Sequence, residues 1–152
     1  MTPEQRLAEL GLAVPEVVAP VAAYVPAQRS GNYVYTAGQL PMRDGELMRT
    51  GKVGAEVSLD EAAECAKQCA LNAIAALQSV ISDLSAVRQI VKVVGFVASA
   101  PDFTAQPKVV NGASELLGAV FGDAGAHARS AVGVAVLPLD APVEVELIAK
   151  VA

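Results

Sequence analysis

From His127 to Ala152 the chain reads as two apolar strands, into which one arginine, Arg129, and two carboxylates, Glu144 and Glu146, are set. A guanidinium is planar and offers two parallel N–H groups to the oxygens of a carboxylate, which fixes the atoms beside that carboxylate in a way lysine does less well. A glutamate in a partly dry cleft can orient or deprotonate a water molecule. Plainer readings stand beside these. Arginine is enriched at protein interfaces, so Arg129 also fits an interface ion pair. Glu144 and Glu146 alternate with Val143, Val145 and Leu147. They therefore share one strand face, and spacing alone reads them as its solvated side.

His127 is the only histidine. Any site needing two imidazoles is excluded, and a Ser-His-Asp arrangement would depend on this one ring. It reads as an exposed loop histidine, with contact to a ligand carboxylate as the sharper alternative. Cys65 and Cys69 stand four apart in a helical stretch, where a disulfide is geometrically awkward and a zinc site would want more ligands. They read as buried small hydrophobes, and no metal is implied.

Composition bounds what these residues can belong to. With 152 residues, 53% of them hydrophobic, the chain has material for one continuous core and little room for a second domain. Apolar runs are broken by proline, glycine or charge well before the roughly 18 residues a membrane span needs, and the N-terminus lacks the layout of a signal peptide. A cytoplasmic protein with no membrane partner is expected. A net charge of -5, with only 11 lysines and arginines scattered along the chain, argues against nucleic acid as a partner.

The elements that must position these side chains follow from local signals. Pro3 to Leu10 is a short helical candidate stopped by Gly11, and residues 1–22 read as an arm ahead of a single domain at 23–152. Strands are expected around the turn at Arg29-Ser-Gly-Asn32, and Asp44-Gly45 marks a tight turn. Ser58-Leu-Asp-Glu61 is a capping box opening a helix from Leu59 to about Ile81, whose alanines allow close approach to a sheet. Gln89 to Ala98 is a β-branched run that reads as a central strand. A second helix from about Pro107 to Phe121 closes at Gly122, and strands at Arg129–Leu137 and Pro142–Val151 finish the chain. The order ββ, α, β, α, ββ favours an α+β fold with both long helices on one face of a mixed sheet. The other face then wants a cover, which further copies of the chain would supply.

The order of elements, together with Ala128-Arg-Ser, Leu137-Pro138 and Glu144-Val-Glu146 at their spacings, resembles the reactive-intermediate deaminase family, also called YjgF or L-PSP endoribonuclease-like. The likeness runs from about Tyr24 to the end. It takes in Tyr24 with Ala27, Gly31-Asn32, Gly38-Gln39-Leu-Pro41, the Val91 to Val97 strand and Asn111, and is strongest with a longer branch that carries Gln106-Pro107-Lys108-Val-Val-Asn-Gly-Ala-Ser114 and a histidine two residues before the arginine.

The resemblance implies a chorismate-mutase-like fold, a homotrimer, and ligand clefts between subunits. It implies hydrolysis of small 2-imino or enamino acids to 2-keto acids and ammonia, without a cofactor. Arg129 would hold the substrate carboxylate and Glu144 would handle water. Tyr24, Asn111 and His127, with backbone groups near Gly38 and Ala131, would line the pocket, Tyr24 from the neighbouring subunit. The chain departs from the family pattern at Ala131, often a cysteine, at Ala37, commonly a serine, and at Pro26, frequently a glutamine. The alternative functions are a non-catalytic, small-carboxylate-binding regulatory protein and, on weaker physical grounds, an endoribonuclease or translation inhibitor.

Overall fold

In the computed structural model, which describes residues 1–20 and 22–152, the capping box at Ser58 starts the long helix where the sequence places it. The elements in chain order are α1 (Pro3–Glu9), β1 (Ala27–Ser30), β2 (Tyr33–Thr36), β3 (Met42–Arg43), β4 (Glu46–Leu47), α2 (Leu59–Ile81), β5 (Val87–Ala98), α3 (Gln106–Phe121), β6 (Ala128–Val134) and β7 (Val143–Val151). Strands β1, β2, β7, β5 and β6 form one sheet in that order. Only the β5–β6 pair is parallel, so the sheet is mixed, as expected.

Ser58 accepts the Glu61 N–H through its hydroxyl while the Glu61 carboxylate accepts from the Ser58 N–H, an arrangement that satisfies two orphan helix donors and stabilises the start by about 1 kcal/mol. The buried side of α2 runs Ala62, Cys65, Ala66, Cys69, Ala70, Ala73, Ile74 and Leu77. Small residues at helical spacing bring this helix close to the sheet and to α3. Both cysteines are buried and free, and desolvation pushes the Cys65 thiol up to about 11. Strand β5 places Val93 and Val97 on the helix-covered face, with Gly95 between them against Val110 of α3. Strand β7 adds Val143, Val145, Leu147, Ala149 and Val151 to the same core. Both long helices therefore lie on one face.

The opposite face is mixed in character. Val94, Phe96 and Ile148 are half-buried there beside Lys92, Glu144 and Glu146, and Tyr33 and Tyr35 are exposed. The cross-strand register sets Phe96 opposite Glu144 and Val94 opposite Glu146.

Three features extend the sequence reading. Asp44 and Gly45 both adopt positive φ, 54° and 83°, the signature of a tight β-hairpin, here the small β3–β4 ribbon. Strand β6 stops at Val134 rather than Leu137, because its partner β5 runs out at Ala98. The N-terminal helix is docked: Leu7 is buried, the Arg6 guanidinium donates to the Val120 carbonyl at 3.3 Å, and the Leu84 N–H donates to the Glu4 carboxylate at 3.3 Å. No helix of the described residues is long and apolar enough to cross a membrane.

Candidate functional site

Arg129 stands on the edge strand β6, opposite Val93 of β5, and reaches over the first turns of α3. There it meets three acceptors. Nη1 donates to Asn111 Oδ1 at 2.8 Å and to Ser114 Oγ at 3.2 Å, and Nη2 donates to the Pro107 carbonyl at 3.2 Å. Positions 107, 111 and 114 follow the i, i+4, i+7 spacing of one helix stripe, so a single helix supplies all three. A guanidinium carries five N–H groups. Three are engaged here, which leaves Nε–H and one Nη2–H, a pair able to take the two oxygens of a carboxylate. Among the described residues no carboxylate lies within ion-pair distance of Arg129; Arg49 and Glu61, 2.7 Å apart, are the only such pair. The positive charge is thus oriented by neutral acceptors and has no internal counterion.

Asn111 does not cap α3: the N-cap position is Ala105, with no side-chain cap. His127 is half-buried rather than exposed. Its Nδ1 lies 2.6 Å from the Gly125 carbonyl and its Nε2 2.9 Å from Ser114 Oγ. Ala131, two residues beyond Arg129, packs partly buried against the core beside Gly95.

Glu144 belongs to a different wall. It projects from β7 on the face away from the helices and lies directly over Gly38, where even a β-carbon would overlap its carboxylate. Gly38 is held there because Gln39 pairs with Val145 through two backbone bonds of 2.8 and 3.0 Å. Burial pushes the Glu144 carboxyl above the usual carboxylate range, and the nearby charge of Glu146 pushes it further in the same direction. Tyr24 is not on a strand; it precedes β1 and, with Gly38, Leu40, Met42, Val18 and Pro20, lines a mostly apolar cavity of about 80 Å³. The N-terminal arm therefore forms part of this wall.

Gly38 lies between the Tyr24 cavity and Glu144, while Arg129 bonds Asn111 directly and meets His127 through Ser114. The two groups are not joined within one chain. Strands β6 and β7 flank β5, about 10 Å apart, and Glu144 and Arg129 lie towards opposite faces of the sheet.

Two residues of these walls are given no role by the sequence alone. Ser114 is an unremarkable helix serine until α3 is laid beside β6. Asn72, buried in α2, donates to the Leu40 and Met42 carbonyls at 3.0 and 2.9 Å and so fastens the segment after Gly38 to the long helix. A polar residue in an otherwise alanine-rich helix face was the available signal. Among the described residues no group of three or more His, Cys, Asp or Glu side chains is placed as metal ligands would be.

Comparison with known proteins agrees with this fold. Residues 4–151 match the family described as "YjgF/chorismate_mutase-like, putative endoribonuclease". Protein TCP17 of Trypanosoma cruzi is 42% identical over 145 residues, covering 95% of this chain and 91% of that protein. The crystal structure of Atu1372 from Agrobacterium tumefaciens, a protein of unknown function, is 44% identical with a TM-score of 0.93, covering 99% of this chain and 94% of that one. That of a "putative endoribonuclease" from Shewanella oneidensis is 36% identical with a TM-score of 0.97, over 99% of this chain and all of the other.

Proposed function

The chain belongs to the YjgF/chorismate-mutase-like family, and from that premise we propose that it hydrolyses small 2-imino or enamino acids to 2-keto acids and ammonia, in clefts between copies of itself. The observation that carries this reading is Arg129, a guanidinium fixed by three neutral acceptors with two N–H groups unengaged. Such a fork fits the carboxylate of a 2-imino acid and holds the adjacent C=N carbon in place. Water then adds to that carbon and Glu144 takes a proton from it. The same carboxyl returns that proton to nitrogen to give a carbinolamine; its carboxylate then takes the hydroxyl proton and passes it to nitrogen as the C–N bond breaks, so that ammonia leaves and the carbonyl forms. A carboxyl with a raised pKa suits both halves of that exchange.

Because Arg129 and Glu144 stand on separate walls, one cleft needs Arg129, Asn111 and Ala131 from one copy and Glu144, Gly38 and Tyr24 from another. A homotrimer closes three such clefts by symmetry and covers Val94, Phe96 and Ile148 on the open sheet face. Two alanines, Ala37 and Ala131, thin the polar lining, and that observation favours a second reading in which the same cleft binds a small carboxylate without turnover. An endoribonuclease role, the description given to the Shewanella protein, is disfavoured by the net charge of -5.

The test generates a 2-imino acid with an amino-acid oxidase, traps it with semicarbazide and measures how much this protein diverts to keto acid. Diversion by the wild type, and its loss in Arg129→Ala with the oligomer intact by sedimentation, is expected. Equal diversion by Arg129→Ala would remove Arg129 from the mechanism, and no diversion from any amino acid would leave the binding protein.

A further inference from the structure

We infer that His127 and Ser114 form a positioning pair that holds Arg129 in its carboxylate-binding orientation, an inference that rests on the reading of Arg129 just given. The argument is one of donors and acceptors. The Gly125 carbonyl can only accept, so His127 Nδ1, 2.6 Å away, carries the hydrogen. In the neutral ring Nε2 is then bare and accepts the hydroxyl proton of Ser114 across 2.9 Å. With its proton committed, Ser114 Oγ presents lone pairs to Arg129 Nη1 at 3.2 Å. The hydrogen bonds run one way: Arg129 to Ser114, Ser114 to His127, His127 to Gly125. Each member polarises the next, which strengthens the chain in a partly dry setting.

This order solves a problem specific to the site. A serine hydroxyl beside an arginine can turn its proton in several directions, and some weaken the contact. His127 fixes the choice, so Ser114 acts as a steady acceptor and the Nη1 side of the guanidinium stays on α3. That leaves Nε–H and the remaining Nη2–H for the ligand. His127 itself, with both ring nitrogens occupied, acts through Ser114 and does not touch the substrate. Gly125 is buried and abuts the Leu117 carbonyl, which fixes the far end of the chain.

Two measurements on the full-length protein test the pair. Calorimetric titration with 2-oxobutyrate, and the imine-diversion assay, are run on wild type, Ser114→Ala, His127→Ala, His127→Gln and the double alanine variant. Loss of a hydrogen bond to a charged group predicts about tenfold weaker binding for Ser114→Ala, with KM raised and kcat nearly unchanged. His127→Ala is expected to weaken binding less, His127→Gln to recover part of that loss through its amide oxygen, and the double variant to be no worse than Ser114→Ala alone. Additive losses would mean that His127 acts on the ligand directly and would overturn the inference. So would a Ser114→Ala variant that binds like wild type.

The second measurement needs no ligand. Because His127 is the only histidine, its ¹⁵N spectrum requires no assignment, and at alkaline pH it should report the tautomer protonated on Nδ1. Protonation on Nε2 would break the chain at its centre. A wild type that neither binds nor turns over removes the functional reading and this inference with it. A wild type that binds, with variants unchanged, removes the inference alone.

Discussion

The Arg129 wall and the Glu144 wall are built by opposite means. Arg129 is placed by addition: Pro107, Asn111 and Ser114 each contribute an atom that holds it, with His127 bonded to Ser114 behind them. Glu144 is placed by omission, since its carboxylate occupies the space a side chain at residue 38 would fill. In the proposed reaction, the charge that must stay ionised is given polar partners, whereas the group that must exchange a proton is given burial and a like-charged neighbour. Losing one partner on the first wall weakens it by degrees. Adding one carbon on the second removes the carboxylate from its place.

The sharpest way to break this contrast is Gly38→Val. The branched side chain displaces the Glu144 carboxylate, so kcat in the imine assay should fall about a hundredfold, in the range a missing general base produces. Near-normal turnover would show that Glu144 does not act from over Gly38. Next in size is Asn72→Ala, which leaves the Leu40 and Met42 carbonyls without their side-chain donor. Denaturant unfolding should register a loss of roughly 1–3 kcal/mol, and hydrogen exchange should quicken in residues 38–42 but not in α3. An unchanged unfolding midpoint would remove Asn72 as the fastener of that wall.

The smallest effect, Glu146→Gln, sharpens the comparison through pH. Glu144 must be ionised to accept a proton, and its pKa is raised, so activity should fall away on the acid side at a higher pH than for an ordinary glutamate. Burial is the larger cause and the Glu146 charge the smaller, so Glu146→Gln should move that acid limb a little downward. A limb that stays put would mean that burial acts alone. The stability sign is fixed too: a raised folded-state pKa stabilises fully below the unfolded value and loses that contribution as pH rises through the folded one. Glu144→Gln should therefore be most stabilising, relative to wild type, at neutral pH and above.

Local chemistry made much of the fold legible. Ser58 and Glu61 mark the start of α2 because both partners of the capping box lie within three residues. Asp44-Gly45 marks its hairpin because few other pairs tolerate two positive φ values in succession. The end of β6 was not legible, since Val134 stops where another strand stops, a condition set 36 residues earlier in the chain at Ala98. The same holds for the site. Arg129 and Glu144 stand out as charges in apolar strands. Ser114 carries no such mark, because its hydroxyl acquires a purpose only when α3 and β6 lie side by side. Leu7 could have been an arm residue or a core residue with equal propriety, and only the docking of α1, through Arg6 to Val120 and Glu4 to Leu84, buries it.

That docked N-terminal helix has a consequence for how the molecule can change. Leu7 is buried at α1 and β1 is held by pairing with β2, and between these two anchors residues 18–20 line the Tyr24 cavity. An arc of set span can exchange its middle residues without re-paying the entropy of closing the loop. If the Tyr24 cavity takes the ligand proposed above, selection among ligands can drift through Val18, Ala19 and Pro20 while the sheet, the helices and the charged groups stay as they are, much as a lock can be rekeyed without replacing the door.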